Sequence, residues 1–360
     1  MSITAEKPAT KLIQIGKPFQ QSVILTLLVV GLVVSACISA CVGAVKISLS
    51  ELYYILLNQL GIANQHFEEQ QQLILTVIRL PRVLLGVMIG AVLGITGAAM
   101  QGLFRNPLAD PGLIGISSGA SLFAVSAIVL ELKILSDLSG WVGLYALSAF
   151  AFVGACLATI LVYQISRSGG KIHISTMLLA GIAVNALTGA LTGLLIYLAN
   201  DAQLRTITFW SLGSLGGANW PVVWVLLPFV CITLFGLPRL GKALNAFSLG
   251  ESQAEHLGIN AASLKRQVIL FCTLGVGVSV AMAGLIGFVG LVVPHMIRLL
   301  VGANHRLVLP GSALLGAIVL TLADLTARTI VAPAELSIGI LTALLGAPVF
   351  LYILLKEHKR

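Results

Sequence analysis

The residues able to do chemistry in this chain are sparse and fall into a few short groups. Arg79 and Arg82 stand three apart in "RLPR", and Arg105, Asn106 and Asp110 share a proline-bounded joint, "RNPLADP". Ser248 and Glu251 stand three apart in "SLGESQAEHLG", and Asp324 precedes Arg328 by four in "LADLTAR". Oppositely charged residues four apart meet on one helix face, so Asp324 and Arg328 are expected to pair. No further series of ionisable residues continues through the apolar stretches, which counts against an ion or proton relay and against a stand-alone ion-coupled carrier.

Other chemistries are weaker still. The nearest approach to a phosphate-binding loop, "SGGKIH" (Ser168–His173), lacks both the leading glycine and the hydroxyl after Lys171, so ATP, if it is used, must bind to another chain. Cys37, Cys41, Cys156, Cys231 and Cys272 all lie in apolar stretches and read as small buried residues. His66, His173, His256, His305 and His358 fall in polar connections, and His295 follows Pro294. None of these has metal-ligand spacing, so no metal site is expected. "VSAC" and "ISAC", Val34 to Cys41, resemble lipoprotein cleavage boxes but lie within a run already long enough to cross a bilayer uncleaved.

The elements that must position these groups follow from composition. Of 360 residues 58% are hydrophobic and 9% charged, and mean hydropathy is +1.03. Such a chain has no polar coat for water, so an all-α polytopic membrane protein is expected. Candidate spans are 22–45, 83–104, 112–130, 141–165, 174–199, 220–237, 268–286, a short 287–300, 308–326 and 336–355, about ten at ~20 residues each. The runs are too long and uniformly apolar for an outer-membrane barrel. Residues 1–20 form a tail, and 21–360 one transmembrane domain with a polar connection at 239–266. Gly86, Gly90, Gly94 and Gly97, like Gly112, Gly115 and Gly119, are spaced to give helices small faces for close packing, or alternatively to line a pore.

Charge orients the bundle. An even span count with both ends inside places Lys46, Arg79, Arg82, Lys133, Arg205 and Arg328 outside and the other fifteen of the 21 Lys and Arg residues inside, as positive-inside bias requires. The net charge of +8 is then topology, not a nucleic-acid footprint. In the largest inner connection Ser248 and Glu251 have capping-box spacing and Gly258 follows as a stop, which predicts a short stiff helix suited to docking a partner.

Several stretches together resemble the FecCD-type permeases, the membrane subunits of importers for ferric siderophores, haem and cobalamin. They are Arg79–Leu122 ("RLPRVLLGVMIGAVLGITGAAMQGLFRNPLADPGLIGISSGASL"), Ser248–Ile259, Gly284–Arg328 and Glu335–Leu355. The resemblance implies a cobalamin-permease-like (type II importer) fold in the bacterial inner membrane, both termini cytoplasmic. It also implies a homodimer with its path on the dimer axis, two ATP-binding-cassette ATPase subunits carrying ATP and Mg, and a periplasmic binding protein; this chain itself would bind no cofactor. Carried over residue by residue, ATPase coupling falls to Ser248, Leu249, Gly250, Glu251, Ala254, Leu257 and Gly258. The cytoplasmic gate falls to Asn106, Leu108, Ser175 and Thr176, and binding-protein docking to Arg79, Arg82 and Arg328. Leu178–Trp220 looks more like haem permeases than cobalamin or siderophore ones, which suggests Arg205, beside Trp210, for a haem propionate, with Asp201 orienting it.

Overall fold

The computed structural model describes residues 18–43, 45–59, 61–62, 69–130 and 141–357. Lys7, Lys11, Lys17, His66, Lys133, His358, Lys359 and Arg360, and nearly all of the expected 1–20 tail, lie outside the described residues. Fourteen helices follow in order: α1 (Pro18–Cys41), α2 (Leu49–Gln59), α3 (Glu69–Phe104), α4 (Ile116–Val129), α5 (Trp141–Ile165), α6 (Ile174–Leu198), α7 (Asp201–Leu212), α8 (Trp220–Arg239), α9 (Gly241–Ser248), α10 (Glu251–His256), α11 (Ala261–Ala283), α12 (Val289–Val301), α13 (His305–Thr329) and α14 (Ile338–Glu357). Among the described residues seven helices are long and apolar enough to cross a membrane, and three shorter apolar ones, α4, α12 and α14, occupy the remaining expected positions.

Helix α3 is the axis of the bundle. In its most apolar stretch 89% of residues are buried, against 17% in α1 and 22% in α6, which are therefore peripheral. Its main partner is α13, and glycines permit the contact. A Cβ on Gly90 would lie 2.4 Å from the Gly316 carbonyl oxygen, and one on Gly94 would lie 2.0 Å from that of Ser312. The small faces therefore serve backbone-to-backbone packing, the main attraction open to helices already surrounded by apolar lipid. Gly97 does the same against Gly290 of α12, and Gly119 against Gly154 of α5.

Two of the short helices follow irregular backbone, which is tolerated at membrane depth only when its polar groups are satisfied internally. Before α4, Asp110 Oδ1 accepts the Gly112 N–H at 2.7 Å, and Asn185 Nδ2 of α6 donates to the Gly112 carbonyl at 3.2 Å. At the start of α12, Gln101 Nε2 of α3 donates to the Leu291 carbonyl at 3.2 Å. Within α3 a π-helical segment, Ile74–Arg79, leaves the Thr76 carbonyl to accept Trp220 Nε1 at 2.9 Å. A two-stranded antiparallel hairpin, β1 (Arg167–Ser168) and β2 (Lys171–Ile172), returns the chain from α5 to α6; Gly169 and Gly170 turn it with φ of +58° and +79°.

The bundle has two chemically distinct ends. Arg105, Arg167, Lys171, Arg239, Lys242, Lys265, Arg266 and Arg306 gather with α9, α10 and the hairpin at one end, and Lys46, Arg79, Arg82, Arg205 and Arg328 at the other. Among described residues this is the partition expected from the sequence.

Candidate functional site

At the Arg105 end the joint between α3 and α4 is a compact turn. Arg105 ends α3 in the left-handed region (φ +50°), and Asn106 Oδ1 accepts the Leu108 N–H at 2.9 Å. Asp110 then caps the turn Pro111–Ile114 that leads to α4. The two prolines remove donors that a continuing helix would need. Leu108 is left exposed, as are Ser175 and Thr176 in the first turn of α6. The two elements touch farther in: a Cβ on Gly181 of α6 would lie 1.8 Å from the Leu113 carbonyl oxygen. All four expected gate residues are thus exposed at one end, on elements packed against each other.

The polar connection 239–266 forms α9 and α10. Gly258 stops α10 as expected: with φ +81° it donates its N–H to the Glu255 carbonyl at 2.9 Å, while Ile259 N donates to Ala254 O at 3.0 Å. The expected capping box is not formed. Ser248 belongs to the end of α9, and its hydroxyl donates to the Asn245 carbonyl at 2.6 Å. Gly250 (φ +132°) is the residue before α10 and gives no side-chain cap. Glu251 instead accepts a 2.5 Å bond from Lys265 Nζ of α11, a partner fourteen residues away that local spacing does not reveal. Ala254 is fully buried and seats the helix, whereas Leu249 and Leu257 flank it 67% and 63% exposed. Bare leucines on a polar connection present apolar area for a partner to cover.

At the opposite end the expected docking arginines are inward-facing. Arg79 donates from its Nη1 to the carbonyls of Ala40 and Cys41, both at 2.9 Å, and from Nη2 to that of Val45. These acceptors lie at and beyond the end of α1, and that of Cys41 also accepts the Ile47 N–H at 3.3 Å. Arg82 clasps Asp324 through Nε (3.0 Å) and Nη2 (2.9 Å), and Nη1 bonds Glu335 at 2.7 Å. Arg328 bonds the Ser39 carbonyl and lies 3.8 Å from Asp324, which bears out their pairing. The three arginines therefore knit α1, α3, α13 and the connection to α14, and are not offered as free cations. The exposed cations among the described residues here are Lys46 and Arg205.

The suggested substrate contact divides. Arg205 is exposed on α7, and no ion pair with Asp201 is formed among the described residues. Trp210 is half-buried against the core, where its carbonyl meets Gly284. Five residues on a helix separate two side chains by about 140°, so Trp210 packs the bundle and does not stand beside Arg205.

A bundle of broken and close-packed apolar helices with a glycine-stopped, apolar-flanked connection at its positive end defines a membrane transport subunit. The chain belongs to the FecCD transport family, whose model matches residues 31–356. It is 46% identical to the hemin transport system permease protein HmuU of Yersinia pestis over 79% of this chain and 83% of that one. To the vitamin B12 import system permease protein BtuC of Salmonella typhi it is 42% identical, over 78% of this chain and 83% of that one. A solved structure of a metal-chelate type ABC transporter in an inward-facing conformation superposes with a TM-score of 0.80 at 33% identity, covering 93% of this chain and 99% of that chain.

Proposed function

We propose that this chain is the permease subunit of an ATP-driven importer that brings haem across the bacterial inner membrane, working as a homodimer. Two ATPase subunits bind ATP and Mg at the Arg105 end, and a periplasmic binding protein delivers cargo at the Arg82 end. The observation that carries the reading is the α9–α10 connection: Leu249 and Leu257 stand exposed on a glycine-stopped helix at the end where fixed positive charge is densest, the end that positive-inside bias turns to the cytoplasm. Covering one leucine is worth about 2 kcal/mol. Leu249→Asp with Leu257→Asp should therefore leave the permease in the membrane but abolish co-purification of the ATPase subunits. Normal recovery of the complex would remove this docking surface.

The homodimer draws support from α6, whose exposed face carries Ala183, Ala186, Gly189, Ala190 and Gly193. A Cβ on either glycine would meet nothing within 4 Å, so packing within this chain does not account for the glycines. Ser175 and Thr176 begin the same face and, with Asn106 and Leu108, form the proposed gate. At the Arg82 end, docking through Arg79, Arg82 and Arg328 would require breaking their internal pairs; Lys46 and Arg205 are the cations an acidic binding protein meets first.

Haem is favoured by the likeness to the hemin permease and by an exposed Arg205, without an ion pair among the described residues, suited to a propionate. Arg205→Ala should lower hemin uptake into vesicles holding the complete complex by about tenfold, the worth of one charge-assisted hydrogen bond. A wild-type complex that moves cyanocobalamin or a ferric siderophore but not hemin would replace haem by that cargo, the alternative that the likeness to the cobalamin permease supports.

A further inference from the structure

Lys265 is 1% exposed, yet the groups around it come from every element proposed to handle ATPase docking and gating. Its ammonium donates to Glu251 Oε1 at 2.5 Å, on the first turn of α10. It also donates to the carbonyl of Ile172 at 2.6 Å, in the strand that runs directly into Ser175 and Thr176 of α6. It lies 5.8 Å from the ring centroid of Phe247, a fully buried residue of α9. Arg105, which ends α3 immediately before Asn106, has its guanidinium carbon 6.0 Å from the same centroid. The buried ammonium therefore touches the docking helix and one gate element directly, and reaches the other gate element through one aromatic ring.

This arrangement is more than packing requires. A buried cation is expensive unless its partners stay in place, and an apolar side chain of similar length would fill the same volume without that dependence. Here the dependence ties α10, α9, the hairpin and the α3 joint to one charged atom. A displacement of α10 that carries Glu251 outward must either leave the ammonium unpaired in the interior or draw it along, and with it the Ile172 carbonyl and the aromatic face. Switching elements of this kind move between discrete arrangements because a packed interior does not deform continuously.

We infer that Lys265 is the positioning residue that couples movement of the ATPase-docking helix to both halves of the inner gate. The inference rests on the proposed docking and gating roles of the two regions and adds the link between them. Its test needs no cargo. In a chain whose five native cysteines are replaced, Leu108→Cys and Thr176→Cys are introduced separately. Their labelling by a water-soluble maleimide is followed in the full complex with its ATPase subunits, with and without a non-hydrolysable ATP analogue.

With Lys265 present, nucleotide should change the labelling rate at both positions by tenfold or more. Lys265→Met should leave the ATPase subunits bound while reducing that change to within twofold, and Lys265→Arg should restore most of it, which a loss of fold stability alone would not allow. Full nucleotide response at both positions in Lys265→Met would overturn the inference. If Lys265→Met does not reach the membrane, Glu251→Gln severs the same link from its exposed side, and an undiminished response there is equally fatal. Absence of any nucleotide response when Lys265 is intact would instead sink the docking and gating roles, and this inference with them.

Discussion

Arg82 and Glu335 show how a single exposed carboxylate can affect the stability of a membrane bundle. Hydrogen bonding to Arg82 holds the Glu335 carboxyl below the usual glutamate range. A carboxyl with a lowered folded pKa contributes stability that is fully present above its unfolded value, near 4.3, and is lost as pH falls through the folded value. Glu335→Gln should thus lower the thermal midpoint at neutral pH, where the contribution is fully present, and flatten the acid limb below about pH 5, where the two proteins converge; an unchanged acid limb would assign the loss elsewhere. Arg79 acts on a larger scale, because it supplies the donors for three carbonyls at and beyond the end of α1. Arg79→Met should cost about 3 kcal/mol by removing the guanidinium donors to the Ala40 and Val45 carbonyls, that of Cys41 keeping the Ile47 N–H, read as a lower midpoint of thermal unfolding in detergent and faster proteolysis ahead of α2. At this scale part was legible in the sequence: the Asp324–Arg328 pair and the Gly258 stop. The Glu251–Lys265 bond and the inward aim of Arg79 and Arg82 were not, because both depend on partners brought together by packing, whereas spacing reports only neighbours within about one helical turn.

Among the elements, the crossing of α3 and α13 sets the tolerance of the bundle. A side chain at Gly94 would meet the backbone carbonyl of Ser312, which cannot rotate away. Gly94→Val should therefore force the two helices apart and destabilise the fold by roughly 1–3 kcal/mol or more; Gly189→Val on the open face of α6 should spare the folded monomer. Thermal unfolding of the two variants side by side measures the contrast, and equal losses would deny the crossing its special status. The expected spans were largely legible because a lipid-facing helix must be apolar for ~20 residues. The short α12 was expected from the brevity of its run, and the four-residue spacing of Asp201 and Arg205 anticipated a helix at α7, but α2 was not anticipated, since its amphipathic sequence carries no spanning signal and its pattern is brief. The α9–α10 break was missed for a related reason: Gly250 was read as an interior residue, whereas its φ of +132° marks the end of one helix and the start of another.

For the whole molecule, the clasp at the end of α1 has a bearing on synthesis. The carbonyls that finish this first helix are taken by Arg79, thirty-nine residues from Ala40, and by Arg328, whose bond to Ser39 spans 289 residues. While the chain is being made, α1 enters the bilayer with its last acceptors facing water and lipid headgroups, and the Ser39 carbonyl finds Arg328 only with the penultimate apolar helix. Until then the helix is held by few contacts and is free to tilt or exchange neighbours. A chain ending after Gly302 should consequently leave Cys37 and Cys41, half-buried in the finished bundle, open to membrane-permeant thiol reagents, and labelling should slow once α13 is restored. The permease thus fastens its first described helix with its penultimate one, so termination ahead of α13 should yield a fragment marked by a loose α1.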